Sequence, residues 1–262
     1  THYMYTFSIY QHSQFVPLIL VCGFAYSMSI LWDQYKKTFY LLTPLMYLYA
    51  IESLSFLTIF AFVAFVCAFV FVRLKGFKKM QAVILFGVAI LGMQAYLAVM
   101  GNLIINQQTG MAGVVGADKY VGKFQPLEKG ETPRNVQDRI GDWSLYGNGI
   151  VESIKTAFIG HPAPFPREVK TSAHNWYLDM AYNFGLISLL PVILLLIYTL
   201  NLLWQGRVEW PPGTFWLAAI VLYLVVVDSN FKVTLRQPYP GIFSYFLWGM
   251  LLSSLKRSPL NL

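Results

Sequence analysis

Long apolar runs separated by short polar loops dominate this sequence. A transmembrane helix needs about 20 mostly apolar residues to cross about 30 Å of hydrocarbon. Seven runs approach that length, at about residues 15–32, 38–50, 55–72, 80–100, 174–204, 214–230 and 240–255. We therefore expect an all-α integral membrane protein with about seven transmembrane helices.

A polar segment at about 102–173 interrupts this pattern. The sequence therefore predicts three regions: N-terminal transmembrane helices (1–101, about four spans), a large loop (102–173) and C-terminal transmembrane helices (174–262, about three spans). The loop is expected to be partly helical. Thr132-Pro133 is a favourable helix start and predicts a helix over 134–146, ended by the glycines at 147 and 149. A second helix is predicted over 150–159, with Ile150, Ile154 and Phe158 on one face.

The positions of Lys and Arg predict the orientation. If the loop at 73–79 is cytoplasmic, nine basic residues lie inside, at 36, 37, 73, 75, 78, 79, 207, 256 and 257, against Lys232 and Arg236 outside. Positive charge in short loops stays on the cytoplasmic side. We therefore expect a multi-pass protein of the bacterial inner membrane, whose large loop is periplasmic.

Composition agrees with this class of protein. Only 12% of the residues are charged and 56% are hydrophobic, with a mean hydropathy of +0.53. These values exclude a cytosolic enzyme, a disordered protein and a nucleic-acid-binding domain; the lipid bilayer is the expected partner. Because the chain begins at Thr1, without an initiator Met or a signal-peptide pattern, we expect it to be a piece of a longer polytopic protein.

Residues 171–179 carry the most informative chemistry. Ser172 or Thr171 is expected to cap the fifth span and to place His174 in its first turn. Unpaired N–H groups and the dipole at a helix start favour a bound anion and a neutral, basic imidazole. His174 could therefore accept a proton from a hydroxyl beside a bound phosphate. The alternative is an interfacial histidine that binds water or lipid headgroups.

Polar residues continue down the predicted fifth span. Asn175, Asp179 and Asn183 recur every four residues, and such a stripe faces the interior of a helix bundle. Its role could be functional or limited to packing. Asp228, in the sixth span, lies close in sequence to Lys232 and Arg236, which favours a structural ion pair there.

The first loop helix offers a candidate phosphate-binding face. Arg139 and Trp143 are four residues apart and share a face, with Tyr146 one turn further. A guanidinium matches phosphate oxygens and stacks on aromatic rings, although Asp138 and Asp142 could neutralise Arg139 instead. Arg134 is a further cation on this side, and His161, before Pro162, is expected to be structural. The loop lacks metal-binding, nucleotide-binding and serine-nucleophile motifs, so we expect no metal and no cofactor.

The order of these motifs resembles the O-antigen ligase and polysaccharide polymerase family of membrane proteins. The resemblance covers about 53–255. Four elements carry it: Asp138-Arg139-x-x-x-Trp143, an apolar helix ending in His161-Pro162, Ser172-x-His174-Asn175-x-Tyr177-Leu178, and Asn183-Phe184-Gly185-Leu186 before a Leu/Ile run.

The resemblance implies a GT-C-like helical glycosyltransferase. Its donor would be a glycan on undecaprenyl diphosphate, and its acceptor a hydroxyl of a lipid A-core, a glycan or a protein. By position, Arg139 would bind the donor diphosphate and His174 would be the base for the acceptor hydroxyl. The residues expected to contribute to substrate binding around them are Arg134, Trp143, Asn175, Tyr177 and Asp179.

Two departures from the family pattern keep other functions open. The stretch 52–56 lacks the arginine that family members often carry, and Ala163-Pro164-Phe165-Pro166 replaces a Gly-x-Gly element. One alternative is a transporter or channel, motivated by Asp179 and Asp228 within spans. Another is a divergent, non-catalytic member of the family.

Overall fold

A computed structural model describes residues 15–53, 55–73, 76, 80, 81, 84, 87, 88, 130–132, 134–166, 172–205, 210 and 213–257. These residues are helical or in turns and loops, and none of them lies in a strand. Most of the predicted fourth span (80–100) lies outside the described residues, as do Thr171 and loop residues 102–129. The chain divides into two compact units, Thr1–Gln137 and Asp138–Leu262.

The first helix of the N-terminal unit folds back on itself. Helix α1 (Phe15–Glu52) has one residue outside helical geometry, Tyr35, at φ −124° and ψ 35°. The rings of Phe24 and Phe39 are 5.8 Å apart, whereas 15 residues of straight helix would separate them by about 22 Å. The chain therefore turns sharply at Tyr35, between the predicted runs 15–32 and 38–50.

Helix α2 (Phe56–Arg73) packs against α1. Phe62 stacks on Phe24 with a centroid distance of 6.2 Å, and Phe69 meets Trp32 edge-on at 4.9 Å. Ser55 begins α2 as its cap, because its Oγ accepts a hydrogen bond from the Thr58 amide at 3.4 Å. The stretch 52–56, where the resemblance leads one to expect an arginine, thus contains a helix start.

The C-terminal unit is described by six helices, of which α3 begins in the last residues of the first unit. They are α3 (Arg134–Ile150), α4 (Ile154–Ile159), α5 (Trp176–Phe184), α6 (Leu190–Gln205), α7 (Thr214–Phe231) and α8 (Pro238–Arg257). The 3-10 turn Leu186–Leu189 leads into α6, and the turn Thr234–Arg236 precedes α8. Within α7, Tyr223–Asp228 forms a π-helical segment.

By length and composition, three described helical segments could cross a membrane: Phe15–Ile51, which turns at Tyr35, Leu186–Gln205 and Thr214–Phe231. Leu57–Arg73 is apolar but shorter. This composition is compatible with a membrane protein. The prediction of seven spans is not confirmed by these helices.

The segment before α6 and the connection between α7 and α8 lie close together. Helix α8 packs on both α6 and α7, and Trp248 of α8 donates from Nε1 to Thr199 Oγ1 of α6 at 2.8 Å. Helix α5 contacts both the end of α7 and the turn before α8, and the turn Leu186–Leu189 joins it to α6. The start of α6, the end of α7 and the start of α8 therefore lie at the same end of the unit.

The predicted fifth span, 174–204, is not one helix, and this prediction was wrong. Gly185 (φ 77°, ψ 166°) separates α5 from the segment that leads into α6. A Cβ on Gly185 would overlap the carbonyl of Phe158, and one on Gly160 would lie 2.6 Å from backbone atoms of 183–185. His161 N donates to Tyr182 O at 2.9 Å in the same contact. The close approach of α4 and α5 therefore ends α5 at Gly185.

The two loop helices also differ from their predicted bounds. Helix α3 continues through Gly147 and Gly149 to Ile150, and α4 begins only at Ile154. The cap of α4 is Ser153, which forms a reciprocal capping box with Thr156. Ile150 is buried at the end of α3, whereas Ile154 is 82% exposed. The predicted common face of 150, 154 and 158 is therefore wrong, because those residues belong to two helices.

Candidate functional site

One face of α3 contacts the connections at the common end of α6, α7 and α8. Tyr146 is buried, with its ring 5.1 Å from that of Tyr182. Trp143 donates from Nε1 to the carbonyl of Ala173 at 3.1 Å, and its ring lies 5.7 Å from Phe231 at the end of α7. The prediction that Trp143 and Tyr146 share a face with Arg139 agrees with this packing, since positions i, i+4 and i+7 align on a helix.

Arg139 lies on this face, where two carboxylates act on its charge. Burial lowers the pKa of its guanidinium, and the nearby carboxylates of Asp228 and Asp142 act in the opposite direction. An arginine in such a setting stays charged. Asp142 is the neighbour that the sequence offered as an alternative partner of Arg139, and Asp228 joins it from α7. The side chain of Arg134 lies outside the described residues.

Asp179, in the first turn of α5, accepts hydrogen bonds from the loop that precedes the helix. Its Oδ1 accepts from the Ala173 amide at 2.8 Å, and its Oδ2 accepts from Ser172 Oγ at 2.7 Å. Ser172 Oγ in turn accepts from the amide of His174 at 3.0 Å. The carboxylate is 2% exposed. This buried aspartate therefore fixes the backbone that carries His174.

His174 lies outside any helix, so its predicted place in the first turn of a span was wrong. Asn175 is the cap of α5, and its Oδ1 accepts from the amide of Leu178 at 3.1 Å. His174 precedes this cap in left-handed geometry, at φ 52°, and is exposed. Such a φ is uncommon for a residue other than glycine. The bonds that Asp179 makes to this loop hold the residue in that conformation.

The connection between α7 and α8 carries a buried ion pair. Lys232 Nζ lies 3.4 Å from Asp228 Oδ1, and both residues are buried. Thr234 Oγ1 donates to the other oxygen of Asp228. The predicted pairing of Asp228 with Lys232 is confirmed. The π-helical segment Tyr223–Asp228 leads directly into this pair, and such segments are frequent at functional sites.

Arg236 pairs with Asp179, which the sequence analysis missed. Its Nη1 donates to Asp179 Oδ2 at 3.0 Å, across 57 positions in sequence, and its side chain is 45% exposed. One signal could have pointed to it: Arg236 and Lys232 are the two basic residues that the predicted orientation places on the outer side in a short loop, against the positive-inside rule.

Tyr146 lies near this pair as well. Its pKa is raised to about 12, first by burial and then by the charge of Asp179, while Arg236 lowers it. The phenol therefore stays protonated and neutral at physiological pH. Tyr146 also packs on Phe165, with the ring centroids 4.8 Å apart.

The charges of the site form two layers. The carboxylates of Asp142, Asp179 and Asp228 are buried, with 8%, 2% and 0% of each residue exposed. Arg139 is half-buried, and both Arg236 and His174 are exposed. Hydrogen-bond donors therefore face outward above buried negative charge. Guanidinium groups in such a layer can bind an anion; the exposed residue Asp138 adjoins Arg139 in sequence.

Asn175 and Tyr177, both predicted to bind substrate, and Asn183 of the predicted polar stripe all hydrogen-bond to nearby protein groups. Asn175 caps α5 and donates to Asn230 Oδ1 at 3.3 Å. The Tyr177 hydroxyl donates to the carbonyl of Val225, within the π-helical segment, at 2.8 Å. Asn183 donates to the carbonyl of Asp179 at 2.7 Å. The predicted role of Asn175 and Tyr177 in substrate binding stays a prediction.

His161 is structural, as predicted. Its Nε2 lies 2.9 Å from the carbonyl of Gly149, and its ring stacks on Tyr182 at 4.1 Å. These contacts join the ends of α3 and α5.

Comparison of the chain with protein-family models, with curated proteins and with solved structures finds no significant match. The function must therefore be argued from the site.

Proposed function

We propose that this protein is a membrane glycosyltransferase of the O-antigen ligase or polymerase type. It transfers a glycan from an undecaprenyl diphosphate carrier to an acceptor hydroxyl at the periplasmic face of the inner membrane. The hydroxyl belongs to a lipid A-core, another glycan or a protein.

The observation that supports this proposal is the set of outward-facing donors above buried carboxylates. Arg139 and the loop that carries His174 are tied together through the bond from Trp143 to Ala173. A guanidinium suits diphosphate oxygens, and a nearby exposed imidazole suits a proton acceptor. A half-buried cation and an exposed histidine linked in this way meet the needs of a diphosphate leaving group and a hydroxyl nucleophile.

The proposed chemistry is a single displacement. The acceptor oxygen forms a bond to the anomeric carbon of the donor sugar, and its proton passes to His174. The bond between that carbon and the diphosphate oxygen breaks, and undecaprenyl diphosphate leaves with the electron pair. Arg139 offsets the charge that develops on the diphosphate. The diphosphate supplies the driving force, so the reaction needs no nucleotide.

His174→Asn tests the role of the base. Asparagine tolerates a left-handed backbone better than most residues do, so this variant keeps the loop and removes the imidazole. Loss of a general base lowers rates about 10²- to 10⁴-fold. We expect such a loss in transfer by the full chain in proteoliposomes, measured with a lipid-diphosphate-linked glycan. Lys155→Gln, an exposed change on α4, serves as the control and should transfer at the wild-type rate.

Transfer by His174→Asn at the wild-type rate would refute this assignment. The transport alternative makes a different prediction: solute flux without any lipid-linked sugar, abolished by Asp179→Asn. Both carboxylates that motivated this alternative bind protein groups, Asp179 through Ser172 and Arg236, and Asp228 through Lys232. These pairings favour a structural role for the two aspartates.

A further inference from the structure

Asp179 connects two parts of the site that are far apart in sequence. Its two oxygens accept from Ser172 Oγ, from the Ala173 amide and from Arg236 Nη1, at 2.7, 2.8 and 3.0 Å. The first two bonds set the loop that carries His174, and the third sets a guanidinium from the turn before α8. One buried carboxylate thus fixes the positions of a proposed base and of a cation.

Arg236 keeps donor capacity for a ligand. A guanidinium has five N–H donors in a planar fork, and its bond to Asp179 uses one of them. The side chain is 45% exposed, whereas the carboxylate beneath it is 2% exposed. An anion that approaches this surface therefore meets N–H groups, while the oxygens of Asp179 face inward and are occupied.

Arg236 also lies on the same side of the unit as Arg139. Asp179, which pairs with Arg236, accepts from the Ala173 amide, and the Ala173 carbonyl accepts from Trp143 on α3. Trp143 and Arg139 occupy one face of α3. Two guanidiniums, one from α3 and one from the turn before α8, thus border the loop of His174.

We infer that Arg236 is a second phosphate-binding guanidinium of this site, and that Asp179 is a positioning residue that aligns Arg236 with the His174 loop. This inference rests on the proposed function and assigns a role to a cation that the sequence left as a structural partner. A diphosphate has two phosphoryl groups, and two separated guanidiniums can each bind one of them.

Kinetics with varied donor concentration test the role of Arg236. Arg236→Gln removes a charge-assisted hydrogen bond to phosphate. We therefore expect kcat/KM for the donor to fall about 10- to 150-fold, while KM for the acceptor stays unchanged. Arg236→Lys should recover part of this loss, because lysine keeps the charge without the planar fork. Lys155→Gln removes a charge elsewhere and should leave kcat/KM unchanged.

A double-mutant cycle tests the role of Asp179. Asp179→Asn keeps an oxygen for the loop amide and loses the charge that holds Arg236. We expect it to raise the donor KM and also to lower kcat, since it disturbs the His174 loop as well. In the Asp179→Asn background, Arg236→Gln should cost much less than it does alone. Equal losses in the two backgrounds would overturn the positioning role.

Binding of inorganic pyrophosphate to the purified full chain separates the two proposals. We expect Arg236→Gln to weaken this binding at least tenfold and His174→Asn to leave it unchanged. Weakened binding supports the second guanidinium even if glycan transfer fails. Pyrophosphate binding and a donor KM that are both unaffected by Arg236→Gln would overturn the inference, and would leave the proposed function standing if His174→Asn still abolishes transfer.

Discussion

Three aspartates of the C-terminal unit, Asp142, Asp179 and Asp228, are buried, and each needs compensation for the loss of water. An ionised carboxylate is costly to bury unless it is hydrogen-bonded and paired with a cation. Asp179 meets this need with a hydroxyl, an amide and a guanidinium, and Asp228 with an ammonium and a hydroxyl. The result is a rigid polar layer beneath the exposed residues of the site.

The indole of Trp143 is the hydrogen-bond link between α3 and this layer. Trp143→Phe keeps the ring near Phe231 and removes the donor to the buried carbonyl of Ala173. Leaving a buried polar group unsatisfied costs about 1–3 kcal/mol. We expect the free energy of unfolding, measured by denaturant titration in detergent, to fall by about that amount.

Trp210→Phe is the matched control for this change. Trp210 carries a buried Nε1 with no hydrogen-bond partner among the described residues, and its ring lies 6.3 Å from that of Phe215. Removing a donor that makes no bond within the described part should leave the free energy of unfolding unchanged or raise it. Equal losses for the two variants would show that the Trp143 bond contributes nothing specific.

Local pairs of residues could be predicted, and distant pairs could not. Asp228 and Lys232 are four residues apart, and this short separation keeps their side chains within reach of each other although α7 ends at Phe231, before Lys232. Asp179 and Arg236 are 57 positions apart, and their contact depends on how α5 meets the turn before α8. The sequence predicted Ser172 or Thr171 as the cap of this helix, whereas Asn175 is the cap of α5, and a contact within the fold decides this as well. Ser172 and Asn175 are both good cap residues, and Asp179 engages the hydroxyl of Ser172, so Asn175 becomes the cap.

At the scale of elements, two glycines set where α5 ends and how α4 joins it. Gly160 and Gly185 adopt φ values of 89° and 77°, and the backbones at these two positions approach closely. The end of α5 at Gly185 could not be predicted from the apolar run at 174–204, because a glycine among apolar residues does not interrupt the hydrophobic pattern. The contact with α4 decides the break, and hydrophobicity along the chain carries no information on that contact.

Gly185→Ala should disrupt this junction. The new Cβ would overlap the carbonyl of Phe158 and would also require a left-handed backbone for alanine. The strain of such a φ costs about 1–3 kcal/mol, and overpacking costs a similar amount. We expect the free energy of unfolding to fall by about 3 kcal/mol or more, with loss of transfer activity.

Gly141→Ala is the control at this scale. Gly141 lies inside α3, with open space where a Cβ would be. Alanine there should raise the free energy of unfolding by about 0.5–1 kcal/mol, because it lowers the backbone entropy of the unfolded chain. If Gly185→Ala is as stable as this control, the close approach of α4 and α5 is not a constraint on the fold.

At the scale of the whole C-terminal unit, the site lies at one end of α6, α7 and α8. The segment Leu186–Gln205, which is long and apolar enough to cross a membrane, has 20 residues, so its two ends are about 30 Å apart, close to the hydrocarbon thickness of a bilayer. Arg236 and Pro238 lie at the site end, and Lys256 lies at the other. The predicted orientation therefore places the site and Lys256 on opposite sides of the membrane.

Two single-cysteine variants of one residue type test this orientation. Lys155 on α4 and Lys256 on α8 are both exposed, and the native Cys22 and Cys67 can first be replaced by alanine. If the positive-inside rule sets the topology, a membrane-impermeant maleimide added to cells with a permeabilised outer membrane should label Lys155→Cys. It should label Lys256→Cys only after the inner membrane is disrupted. The reverse pattern would place the site in the cytoplasm, where a periplasmic acceptor cannot reach His174.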